Sequence, residues 1–327
     1  MKFNKKILLL IMLIGVVSLI GAYSASVHDN AVPDAPNTTE TDIGCCSIVI
    51  QMDGKETLFS HRRDSNKDAD VYIEKVNWHG HDAIKQYKND NGYFCHAIVT
   101  SDGWVIGYGG IDDGVNSSKI ENITARMINE NNTISTKDLE EIQKIKQPYG
   151  RGHVLIKAPN GNYGFVTVDQ IKTGKLEPGQ YISLPNKYEF SRAGNVTLDG
   201  QDKIGVMENL SRSDLYGVGR RDIVIYDFQP EGDKSVCDIY VSNEDGFFVK
   251  VNNALYRDNI YFNGTLTPAR DIPIGPDYKN IGSVTFEGTG DLFSSIFDLI
   301  KIIIFVVIAG IVIFVIIRFI RYRRKYY

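Results

Sequence analysis

The sequence has no excess of basic residues: 36 lysines and arginines stand against 40 aspartates and glutamates, for a formal charge of −4. Neutralising a run of phosphates needs a basic face, so nucleic-acid binding is excluded. Internal repeats are absent. The glycine-containing stretches "GYGG" and "GVGRRD" lack the P-loop lysine and the dinucleotide-binding spacing, and read as turns. The six histidines, the "HGH" of His79 and His81 among them, show no spacing that converges on a metal. No cofactor is expected. Cysteine is scarce, with only Cys45, Cys46, Cys95 and Cys237, and four cysteines allow three complete pairings that sequence does not separate. One or two structural bridges, such as Cys95 to Cys237, are the simplest expectation. Finally, long apolar runs are missing from the middle of the chain.

They stand instead at its two ends. Residues 1–26 carry Lys2, Lys5 and Lys6, then an apolar core, then small residues, the pattern of a secretory signal cut near Ala25. Residues 297–320 admit only Asp298, Lys301 and Arg318, all near the ends, and are long enough to cross a bilayer. The basic tail, residues 321–327, is expected to stay in the cytoplasm. The expected location is therefore the cell membrane, with a single pass and an ectodomain outside. No sortase-type motif follows, which favours membrane anchoring over wall linkage. Seven N-x-[S/T] sequons, at Asn37, Asn116, Asn122, Asn131, Asn195, Asn209 and Asn263, are candidate glycosylation sites on such an ectodomain.

Between the ends, residues 27–44 are polar and carry two prolines, as a linker or propeptide does. From Cys45 the pattern changes to short β-branched runs joined by turn dipeptides. "CSIVIQM", Asp53-Gly54 and "ETLFSHR" make one hairpin; "YFCHAIVT", Asp102-Gly103 and "WVIGYGG" make a second. Residues 118–128 and 136–147 show helical spacing, with Ser135 or Thr136 as N-cap and Asp138 in the first turn. Strands resume with "HVLIKA", Asn160-Gly161 and "YGFVTVD", and continue to "GFFVKV". This order predicts a layered α+β domain of mostly antiparallel sheets over residues 45–264. Residues 265–296 read as a poorly structured stalk.

The adjacent cysteines bear on chemistry. A cut between Gly44 and Cys45 would give Cys45 a free α-amine, with a pKa near 8, able to act as base for its own thiol. "SHRRDS" ends the partner strand and returns Arg62, Arg63 and Asp64 to the neighbourhood of Cys45. An arginine there lowers a thiol pKa, and an aspartate orients an α-ammonium.

Cys-Cys-Ser, an apolar strand, a D-G turn and an Arg/Asp cluster resemble the N-terminal nucleophile hydrolases, in particular the choloylglycine hydrolase and penicillin acyltransferase branch. The resemblance covers roughly residues 44–250. It implies a four-layer αββα sandwich and cleavage of a linear amide, or acyl transfer, on a small amide substrate. It makes Cys45 the nucleophile, with Cys46 the alternative, Arg62 and Asp64 its charged partners, and Asn186 of "LEPGQYISLPNKYEF" the oxyanion-hole donor. "HVLIKAPNGNYGFVTVDQI" resembles a strand, turn and strand ending in an acidic residue, here Asp169. This sequence departs from the pattern in three places: His61 holds the position of the first arginine, a second asparagine has no match, and the C-terminal arginine is open among Arg212, Arg220 and Arg221. A different class of function therefore stands beside catalysis, namely a non-catalytic surface protein that binds a cell-envelope component on the same scaffold. A Cys–His hydrolase using Cys45 or Cys95 with His96 or His153 is a further arrangement. Cys95 and His96 adjoin on one strand and so point to opposite faces.

Overall fold

The computed structural model describes residues 44–64, 69–89, 93–110, 114–131, 133–145, 152–185, 191–198, 200–213, 220–243 and 258–287. The expected signal and membrane-crossing segments lie outside them, and no helix among the described residues is long and apolar enough to cross a membrane.

The chain opens with a hairpin, β1 (Gly44–Gln51) and β2 (Thr57–Asp64), and continues with β3 (Asp70–Trp78), β4 (His81–Asn89), β5 (Tyr93–Thr100) and β6 (Val105–Gly109). Helix α1 (Gly114–Arg126), extended by a π-helical turn, and α2 (Thr136–Gln143) follow. Then come β7 (His153–Lys157), β8 (Asn162–Thr167), β9 (Ile171–Lys175), β10 (Gln180–Pro185) and β11 (Arg192–Asn195). Helix α3 (Lys203–Ser213) leads to the long strands β12 (Arg220–Glu231) and β13 (Lys234–Asn243). The last elements are β14 (Asn259–Phe262), β15 (Thr265–Thr267) and β16 (Lys279–Phe286).

The turn dipeptides fall where the backbone needs them. Gly54, Gly103 and Gly161 all have positive φ, at 63°, 90° and 85°, a region closed to most side chains. Ser135 caps α2 by accepting the amide proton of Asp138 at 3.4 Å. Two features escaped the sequence reading. Helix α3, with Gly205 in its first turn, was not expected. The stalk expected over residues 265–296 contains two strands, β15 and β16: β16 pairs with β13, and its Val284 and Phe286 are buried. β16 is the edge strand of its sheet, and burial alternates only over its last residues, which left little apolar pattern to read.

Two sheets result, one of seven strands in the order β11-β10-β1-β2-β12-β13-β16 and one of nine in the order β15-β14-β3-β4-β5-β6-β7-β8-β9. Pairing between named strands is antiparallel except for β14 with β3. The protein is thus α+β with mostly antiparallel sheets. Its largest apolar cluster draws Val49, Phe59 and Val224 from the first sheet and Ile84, Val99 and Leu155 from the second, so the sheets meet face to face. A second cluster lies between the nine-stranded sheet and α1 and α2, and a third joins the seven-stranded sheet to α3. The expected Cys95–Cys237 bridge does not form, and none of the four cysteines is in a disulfide. Cys95 belongs to the cluster under α1 and Cys237 to the one between the sheets, so a whole sheet separates them.

Candidate functional site

Strand β1 lies inside the seven-stranded sheet, between β10 and β2. Side chains alternate along it. Cys46, Ile48 and Ile50 pack with Leu58 and Ile223 on the α3 side, so Cys45, Ser47 and Val49 face the other sheet. The register then decides the neighbours of Cys45. It stands opposite Arg63 of β2, Arg63 opposite Asp222 of β12, and Asp222 opposite Asn243 of β13. Directly opposed residues have Cβ atoms about 4.5–5.5 Å apart, so these four form one continuous row. All are buried; Cys45 keeps 3% of its surface and Arg63 none. Nη1 of Arg63 is 2.5 Å from Oδ2 of Asp258, whose Oδ1 accepts the amide proton of Ala69 at 3.0 Å.

The neighbouring row begins with Ser47 opposite His61. Here the second sheet contributes directly. His153 of β7 places Nε2 2.8 Å from the Ser47 hydroxyl. His61 places Nε2 2.8 Å from the Tyr108 carbonyl, which only accepts, so that nitrogen carries a proton. The rings of His61 and His96 stack with centroids 5.0 Å apart. A register shift turns His96 inward: Gln86 pairs with Ala97 and Tyr87 with Cys95, leaving His96 as the extra residue. Gly107 of β6 lies across from Ser47, and a Cβ there would come within 2.4 Å of its oxygen.

Of the residues expected to act with Cys45, the structure moves one and leaves two undescribed. Arg62 stands opposite Cys46, faces α3, and donates from Nη1 to the Ser211 carbonyl at 2.7 Å. Arg63 takes its place on the Cys45 face. Asp64 pairs with Gly44, so its backbone ends the hairpin beside the expected cut, while its side chain lies outside the described residues. Asn186 also lies outside them, directly after Pro185, the partner of Cys46. The alternative nucleophile Cys46 is fully buried on the α3 side, with its sulfur 3.4 Å from the Ser183 hydroxyl. Asp169 is exposed after β8, and Arg212 is held by Glu208 and the Gly275 carbonyl. Ser47, Asp222 and Asp258 were not singled out by sequence, although Ser47 shares the parity of Cys45 along β1.

Burial pushes the Cys95 and Cys237 thiols well above their ordinary range, which leaves neither suited to attack. Cys95 and His96 do face opposite ways: one lies under α1, the other against His61. His81 sits at the β3–β4 turn, 2.6 Å from Asn129, with its pKa raised by Asp102. Among the described residues no three His, Cys, Asp or Glu side chains are arranged to hold a metal. Of the sequons, Asn122, Asn195, Asn209 and Asn263 are exposed, Asn116 is half-buried on α1, and the side chains of Asn37 and Asn131 lie outside the described residues. No model of a known protein family matches the sequence, and no curated protein does.

Proposed function

We propose that this chain is a membrane-anchored extracellular amidohydrolase or acyltransferase of the N-terminal nucleophile type, acting on a linear amide through Cys45 once the Gly44–Cys45 bond is cut. The clusters support the fold half of this reading: α3, the seven-stranded sheet, the nine-stranded sheet and the α1–α2 pair follow one another in the order of a four-layer αββα sandwich. The observation that carries the chemistry is the position of Cys45. It is a thiol outside any disulfide, at the second residue of a central strand, on the inter-sheet face, in one row with Arg63.

In the proposed reaction the α-amine of Cys45 takes the thiol proton and the sulfur attacks the amide carbon. The amine then leaves with a proton, and water releases the acid from the thioester. Arg63 holds positive charge beside the sulfur. Asn186 is the proposed oxyanion donor, and loss of one such donor costs about 3 kcal/mol of transition-state stabilisation. The anchor is residues 297–320. A non-catalytic binding protein is the second reading, favoured by the burial of Cys45 and the neutralisation of Arg63 by Asp258. N-terminal sequencing and intact mass of the mature full-length protein, beside Cys45→Ala, separate the two. A wild type beginning at Cys45 and a variant retaining residues before Gly44 support the hydrolase; identical N-termini near Val27 sink it.

A further inference from the structure

The outer face of the nine-stranded sheet carries two kinds of surface. Helix α1 packs on β5 and α2 on β8 and β9, over an apolar cluster that takes in Trp78 and Ala83 at one end of the β3–β4 hairpin. Towards the other end of that hairpin, Tyr72 and Tyr87 lie outside the cluster, as does Tyr261 of β14, and all three are half-buried. Tyr261 pairs with Tyr72, and Tyr72 with Tyr87. Their strand neighbours Val71, Ile73, Ile260 and Phe262 belong to the core between the sheets, so the three tyrosines stand on the outer face.

Consecutive rings lie 12° and 15° from parallel, with centroids 4.9 and 5.3 Å apart. Rings so close and so nearly parallel overlap with an offset, like roof tiles, and each leaves part of a face uncovered by its neighbour. Leu266 of β15, 44% exposed, stands opposite Tyr261 and ends the row at the sheet edge. Carboxylates flank the row on both sides. Asp70 accepts from the Asn259 amide at 3.3 Å, and Glu74 stands opposite Lys85. Lys85 is the one lysine or arginine on this face of β3, β4 and β14, and Glu121 of α1 holds it at 2.6 Å. Three carboxylates therefore stand against one ammonium among the described residues here. Burial, then Asp70, Tyr261 and Glu74, raise the pKa of Tyr72, while burial and Glu74 push Tyr87 up to about 12. Both phenols stay neutral near pH 7, so the rings offer π faces rather than phenolate charge. Cross-strand stacking by itself stiffens a sheet. What points to a ligand is the negative field laid along uncovered ring faces.

We infer that the Tyr261–Tyr72–Tyr87 row is a binding site for a small soluble ligand carrying a quaternary ammonium group. The face of an aromatic ring is negative, and a cation within about 6 Å of its centroid is attracted to it. A primary ammonium is strongly hydrated and keeps its water at a half-exposed site. A methylated ammonium sheds water more readily and presents to the rings C–H groups that share its charge. Asp70 and Glu74 add attraction for the cation, and they turn away a ligand that carries its own carboxylate close by. Cys45 faces the space between the sheets, on the other side of the nine-stranded sheet from this row. The site is therefore independent of the hydrolase reading and stands whether or not Cys45 is unmasked.

The test is binding of choline to the purified full-length protein, measured by isothermal titration and by saturation transfer to the ligand methyl protons. An exposed cation–π contact changes affinity by about 2–5-fold. Wild type should bind choline, and added sodium chloride should weaken the binding. Tyr72→Leu should lower the affinity by at least about 2–5-fold, and so should Asp70→Asn combined with Glu74→Gln. Glycine betaine, and the carbon isostere of choline that lacks the charge, should each bind more weakly than choline by a similar factor. If Tyr72→Leu fails to melt cooperatively, Tyr261→Leu beside the edge strand carries the same expectation. Absence of choline binding overturns the proposal, and so does unchanged affinity in the folded variants. Equal affinity for choline and its uncharged isostere would mark a merely apolar patch and overturns it too. Binding of a neutral oligosaccharide in place of choline would reassign the row to sugars.

Discussion

The space between the two sheets is polar at both ends, and the ends are built differently. At the Cys45 end, charge is matched: Arg63 meets Asp258 at 2.5 Å, Asp222 stands beside it in register, and each imidazole has a named neighbour. At the other end, Lys157 of β7 is fully buried, and its amine donates to the Thr57 hydroxyl, with no carboxylate in contact among the described residues. Burial alone lowers its pKa to about 7. Matched charges can stay ionised in an apolar layer, whereas a lone amine near neutral pH gives up its charge instead. The first arrangement preserves groups for chemistry. The second is a standing cost to the fold.

That contrast can be broken from either side. The largest effect is expected from Asp258→Ala, which leaves the Arg63 guanidinium buried beside no carboxylate from that position. Removing one partner of a buried pair costs about 3–5 kcal/mol, read as a fall in the denaturant midpoint. A loss below 1 kcal/mol would show that other groups already balance Arg63. Lys157→Met should act in the opposite direction. Between about pH 7 and pH 10.5 the unfolded chain holds a proton on this amine that the folded chain lacks. Wild-type stability therefore rises with pH through that window and is lowest below it. Lys157→Met should flatten the rise and stabilise the protein at pH 7 by about 2–4 kcal/mol. An unchanged slope in denaturant titrations at pH 7, 8.5 and 10 would show that Lys157 is not the group responsible. Thr57→Val should have the smallest effect, about 1–2 kcal/mol lost with the hydroxyl partner of the amine. In the Lys157→Met background the same change should be nearly neutral, and an equal loss in both would show that Thr57 does not act through Lys157.

Much of the fold was legible because its signals are local. Asp53-Gly54, Asp102-Gly103 and Asn160-Gly161 mark hairpins through the backbone conformations that glycine allows, and Ser135 marks the start of α2. The site was legible only in part. Cys45 and the cluster that follows β2 stand out by residue type, yet which arginine faces Cys45 depends on the loop. Gln51 pairs with Thr57, so residues 52–56 close the hairpin and Cys45 meets Arg63. A shift of one residue would have brought Arg62 to the same face instead. His96 and His153 were candidates by residue type, but their placement was beyond reach for another reason. They approach β1 and β2 only because two sheets stack, and His96 turns inward only through a register shift. Neither fact is written in the residues nearby.

The ion pair between Arg63 and Asp258 also sets an order of events. Its partners are 195 residues apart, and β14, which follows Asp258, inserts beside β3 as the parallel strand of its sheet. Contacts so distant in sequence form late, because closing the intervening loop must come first. A ribosome that has not yet delivered residue 258 has made a chain in which Arg63 cannot be neutralised by that aspartate. Truncated products therefore lack this partner of Arg63 in the row beside Cys45, which ties the surroundings of that thiol to synthesis of the distant half of the chain.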